Sequence, residues 1–431
     1  MSTLGRNAKL VKVHNQALVL RIIQQQEAIS RKEIASLTGL TQATITNIAN
    51  TLLENKLITE TGKDENSNSY GRKPILLAIN RDQYKIISVY IGRHIIQGAL
   101  CDLSGKFLYK IEEYKAIYNS KDVKIENEII QFLRKLITSA DANLDEVLGI
   151  GISAPGPINA KKGILLGTER GKGHESPAPF DWRNVSLKEV IQDEFGVKVY
   201  ADNEANVLAL AESWFGKGVG INNFVLYSVG IGIGAGIIID GMLYRGEDDV
   251  VAEVGHITID FNGEKCICGN VGCLEHYASL KTMLQNYKRK ISNNDIFTLP
   301  EMDNFNVITE IERVFSLAYE GEPTALSVVA DVAQFLGIGA VSLANTFSPE
   351  YIIISGNDAG NINFDILLPR IRERISERAF SAIADKVTVL SAELGKENHL
   401  FGGVALVLQD FFNNLPESGA YRSKSKSIAN K

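Results

Sequence analysis

Cysteine, methionine and tryptophan are scarce in this chain of 431 residues: four Cys, four Met and two Trp. Three of the four thiols, Cys266, Cys268 and Cys273, lie within eight residues. Pairing them as disulfides leaves one over, which argues against a disulfide framework and for a metal. Also missing is any apolar run without charges that approaches the roughly 18 residues of a membrane span. The first 15 residues are polar with scattered Lys and Arg, unlike a signal sequence. The expectation is a cytoplasmic protein with no membrane association.

What is present is ordinary globular material, 45% hydrophobic and 22% charged, too long for one core, so two or three domains are expected. The net charge of -6 hides an asymmetry. Up to Lys85 there are 12 Lys or Arg against 7 Asp or Glu, and the remainder carries 33 against 44, so the front is +5 and the rest -11. A basic front agrees with phosphate contacts, although small domains also carry such an excess for solubility. Cys101 follows a hydrophobic run and reads as an inert core thiol.

The first 60 residues have helical spacing: Leu18, Leu20, Ile22 and Ile23, then Ile34, Ala35 and Leu37, then Ile45, Ile48, Leu52 and Leu53. Within them Ser30 stands as an N-cap with Glu33 three residues on, Gly39 makes a turn, and Thr41 caps the next helix. Helix, short glycine turn, helix is the pattern of a helix-turn-helix; the plainer reading is a helical hairpin with a solvated face. In the second helix Ile45, Ile48, Ala49 and Leu52 face inward, leaving Gln42, Ala43, Thr44, Thr46, Asn47 and Asn50 outside. With Thr41 these small, amide and hydroxyl side chains suit base edges in a major groove, and Arg31, Arg72 and Lys73, with Lys32 and Lys56, supply phosphate contacts. Residues 57–59 and 75–78 read as the two strands of a wing, joined by a polar tip at residues 62–69.

From residue 75 onward short apolar runs alternate with helical stretches, the texture of an α/β fold. Strands are expected at 86–91, 147–152, 197–200, 224–229, 237–239 and 351–354, and helices at 123–139, 186–195, 206–214, 323–345 and 364–378. The tail, residues 416–431, is rich in Ser and Lys and is expected to be disordered.

The densest chemistry runs from Glu253 through Gly255 and His256 to Cys266, Cys268, Gly269, Gly272, Cys273 and Glu275. Three thiolates and one imidazole form a closed tetrahedral set for Zn2+, and the glycines let the backbone turn tightly enough for the thiols to converge. A closed set leaves no position for water, so this zinc is expected to be structural.

The segment Glu253-Val-Gly-His256 with Cys266-Ile-Cys-Gly-Asn-Val-Gly-Cys-Leu-Glu275 resembles the ROK family of repressors and sugar kinases. The resemblance is backed, in family order, by Gly151-Ile-Ser-Ala-Pro-Gly-Pro157, Asp202-Asn-Glu-Ala-Asn206, Gly230-Ile-Gly-Ile-Gly-Ala-Gly236 and residues 343–356. It implies a two-lobed actin-like (ribonuclease H-like, sugar-kinase) domain behind a winged helix-turn-helix. The implied boundaries are 1–80 for the DNA-binding domain, 81–206 for the first lobe, completed by a helix near 395–415, and 207–394 for the second lobe with its zinc motif. It further implies that Asn203, Glu253, His256 and Glu275 contact sugar hydroxyls and that Glu204 stands at the catalytic-base position. A sugar's fixed hydroxyls need such donors and acceptors on a rigid scaffold. His256 could bind zinc through one ring nitrogen and a hydroxyl through the other.

The chain departs from the family's kinases where phosphate is handled. Where a kinase has Asp, then Ile or Leu, Gly, Gly and Thr, this chain has Tyr90-Ile-Gly-Arg93-His94. Tyr90 is a poor magnesium ligand, and Arg93 and His94 put bulk where backbone should approach phosphate. Glu204 replaces Asp, displacing the carboxylate by about 1.5 Å, and Ile354-Ser355-Gly356 is also altered. The expectation is a non-enzymatic, sugar-responsive repressor that binds a palindromic operator as a homodimer or higher oligomer and is released by sugar. An active ATP-dependent sugar kinase with a fused DNA-binding module, and a DNA-binding protein with a vestigial pocket, are the alternatives. The 202–206 run is similar to the xylose-responsive members, with glucose-responsive members also close. Residues 167–179, with Arg170, Lys172, His174 and Glu175, have no counterpart and are either a specificity element or a surface loop.

Overall fold

The computed structural model describes residues 8–63, 73–92, 95–114, 124–166, 184–247, 249–266, 268–292, 304–356 and 362–413. Arg72, Arg93, His94, the 167–179 segment and the 416–431 tail therefore lie outside the described residues. The chain begins with α1 (Ala8–Gln25), β1 (Ile29–Ser30), α2 (Arg31–Thr38) and α3 (Gln42–Glu54). The hairpin β2 (Ile58–Lys63) and β3 (Ile75–Ile79) forms the wing, and β1 pairs with the other edge of β3. The local chemistry stops and starts these helices as the sequence suggests. Ser30 and Glu33 form a reciprocal capping box, Gly39 ends α2 at φ 69°, and Thr41 accepts from the Thr44 amide. One expectation shifts: β2 runs on through Gly62 and Lys63, because a bulge between Glu60 and Gly62, with Gly62 at φ 125°, lets the strand stay paired past the expected start of the tip.

The remainder is one sheet pattern used twice. In the first lobe β4 (Lys85–Ile91), β5 (Ile95–Asp102) and β6 (Phe107–Tyr114) form an antiparallel meander. Then α4 (Ile125–Ser139) leads to β7 (Val147–Ala154), parallel to β4. A small sheet of β8 (Ile158–Asn159), β9 (Ile164–Leu165) and β10 (Val185–Ser186) precedes α5 (Leu187–Phe195) and β11 (Val199–Asn203), which is parallel to β7. The order is β6-β5-β4-β7-β11.

After α6 (Glu204–Phe215), β12 (Phe224–Val229), β13 (Ile233–Ile239) and β14 (Met242–Leu243) repeat the meander. Four helices follow: α7 (Leu274–Ala278), α8 (Leu280–Ser292), α9 (Asn304–Tyr319) and α10 (Pro323–Phe347). Two parallel strands, β15 (Tyr351–Gly356) and β16 (Thr388–Ser391), close the sheet, with α11 (Leu368–Arg378) and α12 (Ser381–Ala384) between them. The order β14-β13-β12-β15-β16 mirrors the first sheet position for position. A winged helix-turn-helix joined to a two-lobed actin-like fold is thus the architecture. The final helix, α13 (Asn398–Asn413), returns to pack on α6, β4 and β7.

Apolar alternation explains how these layers bury. In β4, Ile86 and Tyr90 face the core shared with α6 and α13, while Ile87, Val89 and Ile91 face the core under α4 and α5. The first of these cores does not stop at the lobe. It runs through Val19, Leu20 and Ile23 of α1 into Ile34, Ile45 and Leu52, so the DNA-binding domain and the first lobe share one apolar cluster. Helix α10 is long and apolar enough to cross a membrane by length and composition. It is instead the central helix of the second lobe, packed by α7, α8, α9 and α11.

Candidate functional site

In the helix-turn-helix, Ile45, Ile48, Ala49 and Leu52 are buried, and Thr41, Gln42, Ala43, Thr46, Asn47 and Asn50 are exposed, with Thr44 half-buried. Some of the hydroxyls are already engaged: Thr46 donates to the Gln42 carbonyl at 2.8 Å and Thr44 meets Thr41 at 2.9 Å. The side-chain amides of Gln42, Asn47 and Asn50 are exposed on the outer face of α3. Arg31 pairs with Glu60 of the wing at 3.0 Å, so it braces the wing against α2 as well as presenting charge. Lys73 is exposed where the chain enters β3.

The second lobe brings His256, Cys266, Cys268 and Cys273 together, with their ligand atoms all within 4.8 Å of one another. The Cys266 Sγ to His256 Nδ1 and Cys268 Sγ to Cys273 Sγ separations are both 3.7 Å. Ligands about 2.0–2.3 Å from a tetrahedral ion stand about 3.5–3.8 Å apart, so the geometry fits such an ion. Gly272 is at φ 64°, and a Cβ there would lie 1.6 Å from the Asp260 carbonyl oxygen, so only glycine closes this loop. Burial and the neighbouring thiols push the Cys273 thiol up to about 12. A dication would reverse that by binding thiolate. Asn270 braces the loop, its Nδ2 lying 2.9 Å from the His256 carbonyl oxygen and 3.0 Å from Thr258 Oγ1. Its place inside the Cys-Gly-Asn-Val-Gly-Cys run was the only sequence signal for it.

His256 Nδ1 is turned to the thiols. The proposed readers meet around the start of β13. Glu275, in the first turn of α7, accepts from the Ile233 amide at 2.9 Å. The short 3-10 turn Val254–His256 packs so closely on Ile233 that a Cβ on Gly255 would lie 2.3 Å from its carbonyl oxygen. One strand turn on, a Cβ on Gly236 would lie 2.4 Å from the Ala205 carbonyl oxygen, so the N-terminus of α6, with Asn203 and Glu204, lies against the same strand. Asn203 caps α6 by accepting from the Ala205 amide at 2.9 Å and donates to the Gly156 carbonyl at 2.7 Å. Among the described residues this leaves one N–H and one lone pair of its side chain without a partner. Glu253 is open to solvent at its surface yet ringed by protein; that burial raises its carboxyl above the usual range, His256 opposes the shift and Glu275 adds to it.

Beside these readers the lobes are joined by a contact absent from the sequence reading. Arg245, just past β14, pairs with the fully buried Asp202 at the end of β11 at 2.6 Å. Asp202 also accepts from the Asn203 amide at 2.7 Å and from Asn206 at 3.0 Å. Burial is the leading influence on its carboxyl and raises it; Arg245 opposes this. Nearby Asp249 accepts from the Lys161 amide at 3.2 Å, a second link between lobes.

Where the resemblance puts a magnesium-placing carboxylate, Tyr90 is buried and stacks face to face on His399 of α13, with ring centroids 3.8 Å apart and 3° between planes. His399 Nδ1 lies 3.1 Å from Ser153 Oγ, and burial pushes its pKa down to about 3, so the ring is neutral. At the end of β15, Asn398 donates to the Gly356 carbonyl at 3.2 Å. Among the described residues, neutral aromatic and amide groups thus lie at the ends of β4 and β15.

Known proteins place these features in a family. Residues 86–410 match the ROK family model and residues 14–67 the MarR family model. The chain is 34% identical over 408 residues to a xylose repressor of Caldicellulosiruptor bescii, covering 94% of this chain and 98% of that one. It is 30% identical over 419 residues to the DNA-binding transcriptional dual regulator NagC of Escherichia coli, covering 95% and 96%. A solved ROK family transcriptional regulator, a homologue of the E. coli MLC protein, superposes with TM-score 0.74 at 29% identity over 94% of this chain and 97% of that one. With its duplicated lobes, its Cys3His cluster and its helix-turn-helix, this chain belongs to the ROK family.

Proposed function

We propose that this protein is a sugar-responsive transcriptional repressor: a homodimer in the cytoplasm that holds a palindromic operator through two copies of α3 and releases it when a sugar binds between the lobes. The observation that carries the reading is the pairing, on one chain, of a capped and exposed recognition helix with a cleft whose hydroxyl readers persist while its phosphate side is a Tyr90–His399 stack. Residues 1–80 are the DNA-binding domain, 81–206 with α13 the first lobe, and 207–394 the second.

In this reading Asn203, Glu253, His256 and Glu275 take the sugar hydroxyls, Glu204 lies beside them at the family's base position, and His256, Cys266, Cys268 and Cys273 hold a structural zinc. The ion supplies a fixed anchor for the His256 ring and the 266–273 loop, and no chemistry. Phosphoryl transfer is not part of the function, because Tyr90 offers no carboxylate for a hard cation. Arg31, Lys73 and Arg72 meet phosphates, and Gln42, Asn47 and Asn50, with Thr41, Ala43, Thr44 and Thr46, face the bases.

Xylose is the effector favoured by the named relative, which is a xylose repressor. By linkage, sugar must bind the DNA-free form more tightly by the factor that it weakens operator binding. Fluorescence anisotropy with a duplex selected from a random pool, titrated with D-xylose, D-glucose and N-acetylglucosamine, tests this. One sugar is expected to weaken binding at least about tenfold, and a tightening or no change with all three sinks the inducer model. A coupled ADP-release assay with the same sugars is expected to stay at background; steady turnover of any of them favours the kinase.

A further inference from the structure

Helix α6 is capped at its two ends by residues that belong to different functions. At its start Asn203, a proposed sugar reader, closes the first turn. At its end the last four carbonyls lack partners within the helix. The Gly216 and Gly218 amides take that of Glu212. Arg21 of α1, from the DNA-binding domain, donates one guanidinium nitrogen to the Ser213 carbonyl at 2.6 Å and to Ser213 Oγ at 2.8 Å. Its guanidinium carbon lies 5.0 Å from the Trp214 ring centroid, and Trp214 is in turn held by Phe412 of α13 at 5.3 Å. A cation at the negative end of a helix is favourable, and so is its seat on an indole face.

Two further features make this junction suited to a signal. Helix α6 is buried along nearly its whole length, from Glu204 to Trp214, so its 12 residues form a rod about 18 Å long that moves as a unit. The helix starts in the first lobe and its last turn lies in the second, where Glu212 accepts from the Lys217 amide at 2.7 Å and the Glu393 amide at 3.2 Å, and Lys217 pairs with Glu393 at 3.1 Å. A shift of one lobe against the other therefore acts on the turn that Arg21 grips. Among the described residues no carboxylate pairs with Arg21, and burial alone lowers its pKa. A half-buried guanidinium held by one serine and an indole face, with no counter-charge among the described residues, has a narrow margin over its desolvation, and such a contact changes with a small displacement.

We propose that α6 carries the sugar signal from the cleft to the DNA-binding domain and that Arg21 is the positioning residue that receives it. This rests on the sugar-responsive reading and deepens it. The warrant is a continuous rigid element with a cap from each site, which is a physical path rather than mere proximity.

The test measures three quantities for full-length wild type, Arg21→Ala and Arg21→Met: operator affinity without sugar, sugar affinity without DNA, and the ratio of operator affinities with and without saturating D-xylose. The Met variant keeps the apolar stem, so it guards against a variant that fails to fold, and thermal unfolding checks both. Expected are sugar affinity within about threefold of wild type and a coupling ratio reduced at least fivefold, within the range of about 5–150 typical of coupled sites. Ser213→Ala, which removes only the hydroxyl contact, should give an intermediate loss. A folded Arg21→Met protein with the wild-type ratio overturns the proposal while leaving the sensor reading intact. Wild-type protein indifferent to D-xylose, D-glucose and N-acetylglucosamine overturns both.

Discussion

The two lobes share one strand order and differ in what they hang on it. In the second lobe the path from β14 to α8 holds the His256, Cys266, Cys268 and Cys273 cluster with Glu253 and Glu275. In the first lobe, the end of β4, which corresponds to the end of β12 in the second sheet, holds the buried Tyr90 against His399. The lesson is that the metal-type cluster and the aromatic stack occupy separable parts of the scaffold. The strand order depends on backbone pairing and apolar alternation, so a neutral stack on one lobe and a Cys3His cluster on the other sit on the same scaffold.

Removing the second lobe's cluster is the strongest way to break that contrast. Cys268→Ser is expected to lose bound zinc by elemental analysis and to weaken sugar binding by about a hundredfold, the upper range for disturbed metal-site support. A zinc-free variant with unchanged sugar affinity breaks the link between metal and pocket. Next comes the seam between the lobes. Arg245→Leu leaves Asp202 buried without its cation and is expected to cost about 3 kcal/mol, read by denaturant titration. A loss below about 0.5 kcal/mol, the size of an exposed ion pair, shows that the pair does not hold the lobes together.

The first lobe's stack makes a prediction in pH. His399 is neutral when folded, with a pKa near 3, against an ordinary value of 6.5. Between those values the unfolded chain binds the extra proton, so the folded form loses stability as pH falls from 6.5 toward 3, by up to about 1.4 kcal/mol per unit for this group. His399→Phe should remove that share of the slope in urea titrations at pH 6.5 and 4.5, and a slope unchanged from wild type contradicts a buried neutral ring. The smallest effect belongs to the DNA-binding domain. Ser30→Ala removes one half of the capping box and is expected to cost about 1 kcal/mol, visible in the thermal midpoint with little change in sugar affinity.

Much of this was legible because it is local. Ser30, Glu33, Gly39 and Thr41 bracket α2 and α3 by hydrogen bonds that span three or four residues. The Cys3His set shows in its spacing, and the α/β alternation in its apolar runs. The start of α6 was harder: Asp202-Asn-Glu reads as turn chemistry, and the expected helix began at residue 206, whereas Asn203 caps a helix that begins at Glu204. The meander strands β5 and β6 escaped notice because β6, with its exposed Leu108 and Tyr109, carries weak alternation at a sheet edge.

By itself, the sequence determined where α2 and α3 start and stop, which side of α3 faces outward, and which four side chains suit one metal ion, since each depends on short-range spacing and donor type. Only the tertiary structure decided that Arg21 caps α6, that Arg245 meets Asp202 across the lobes, that Asn270 braces the metal loop, and that Tyr90 lies on His399. Three of these contacts join residues tens to hundreds of positions apart, and in each a polar or aromatic group acquires its role from burial beside a partner. No local pattern records such a partner, because burial and partnership exist only once the chain has folded.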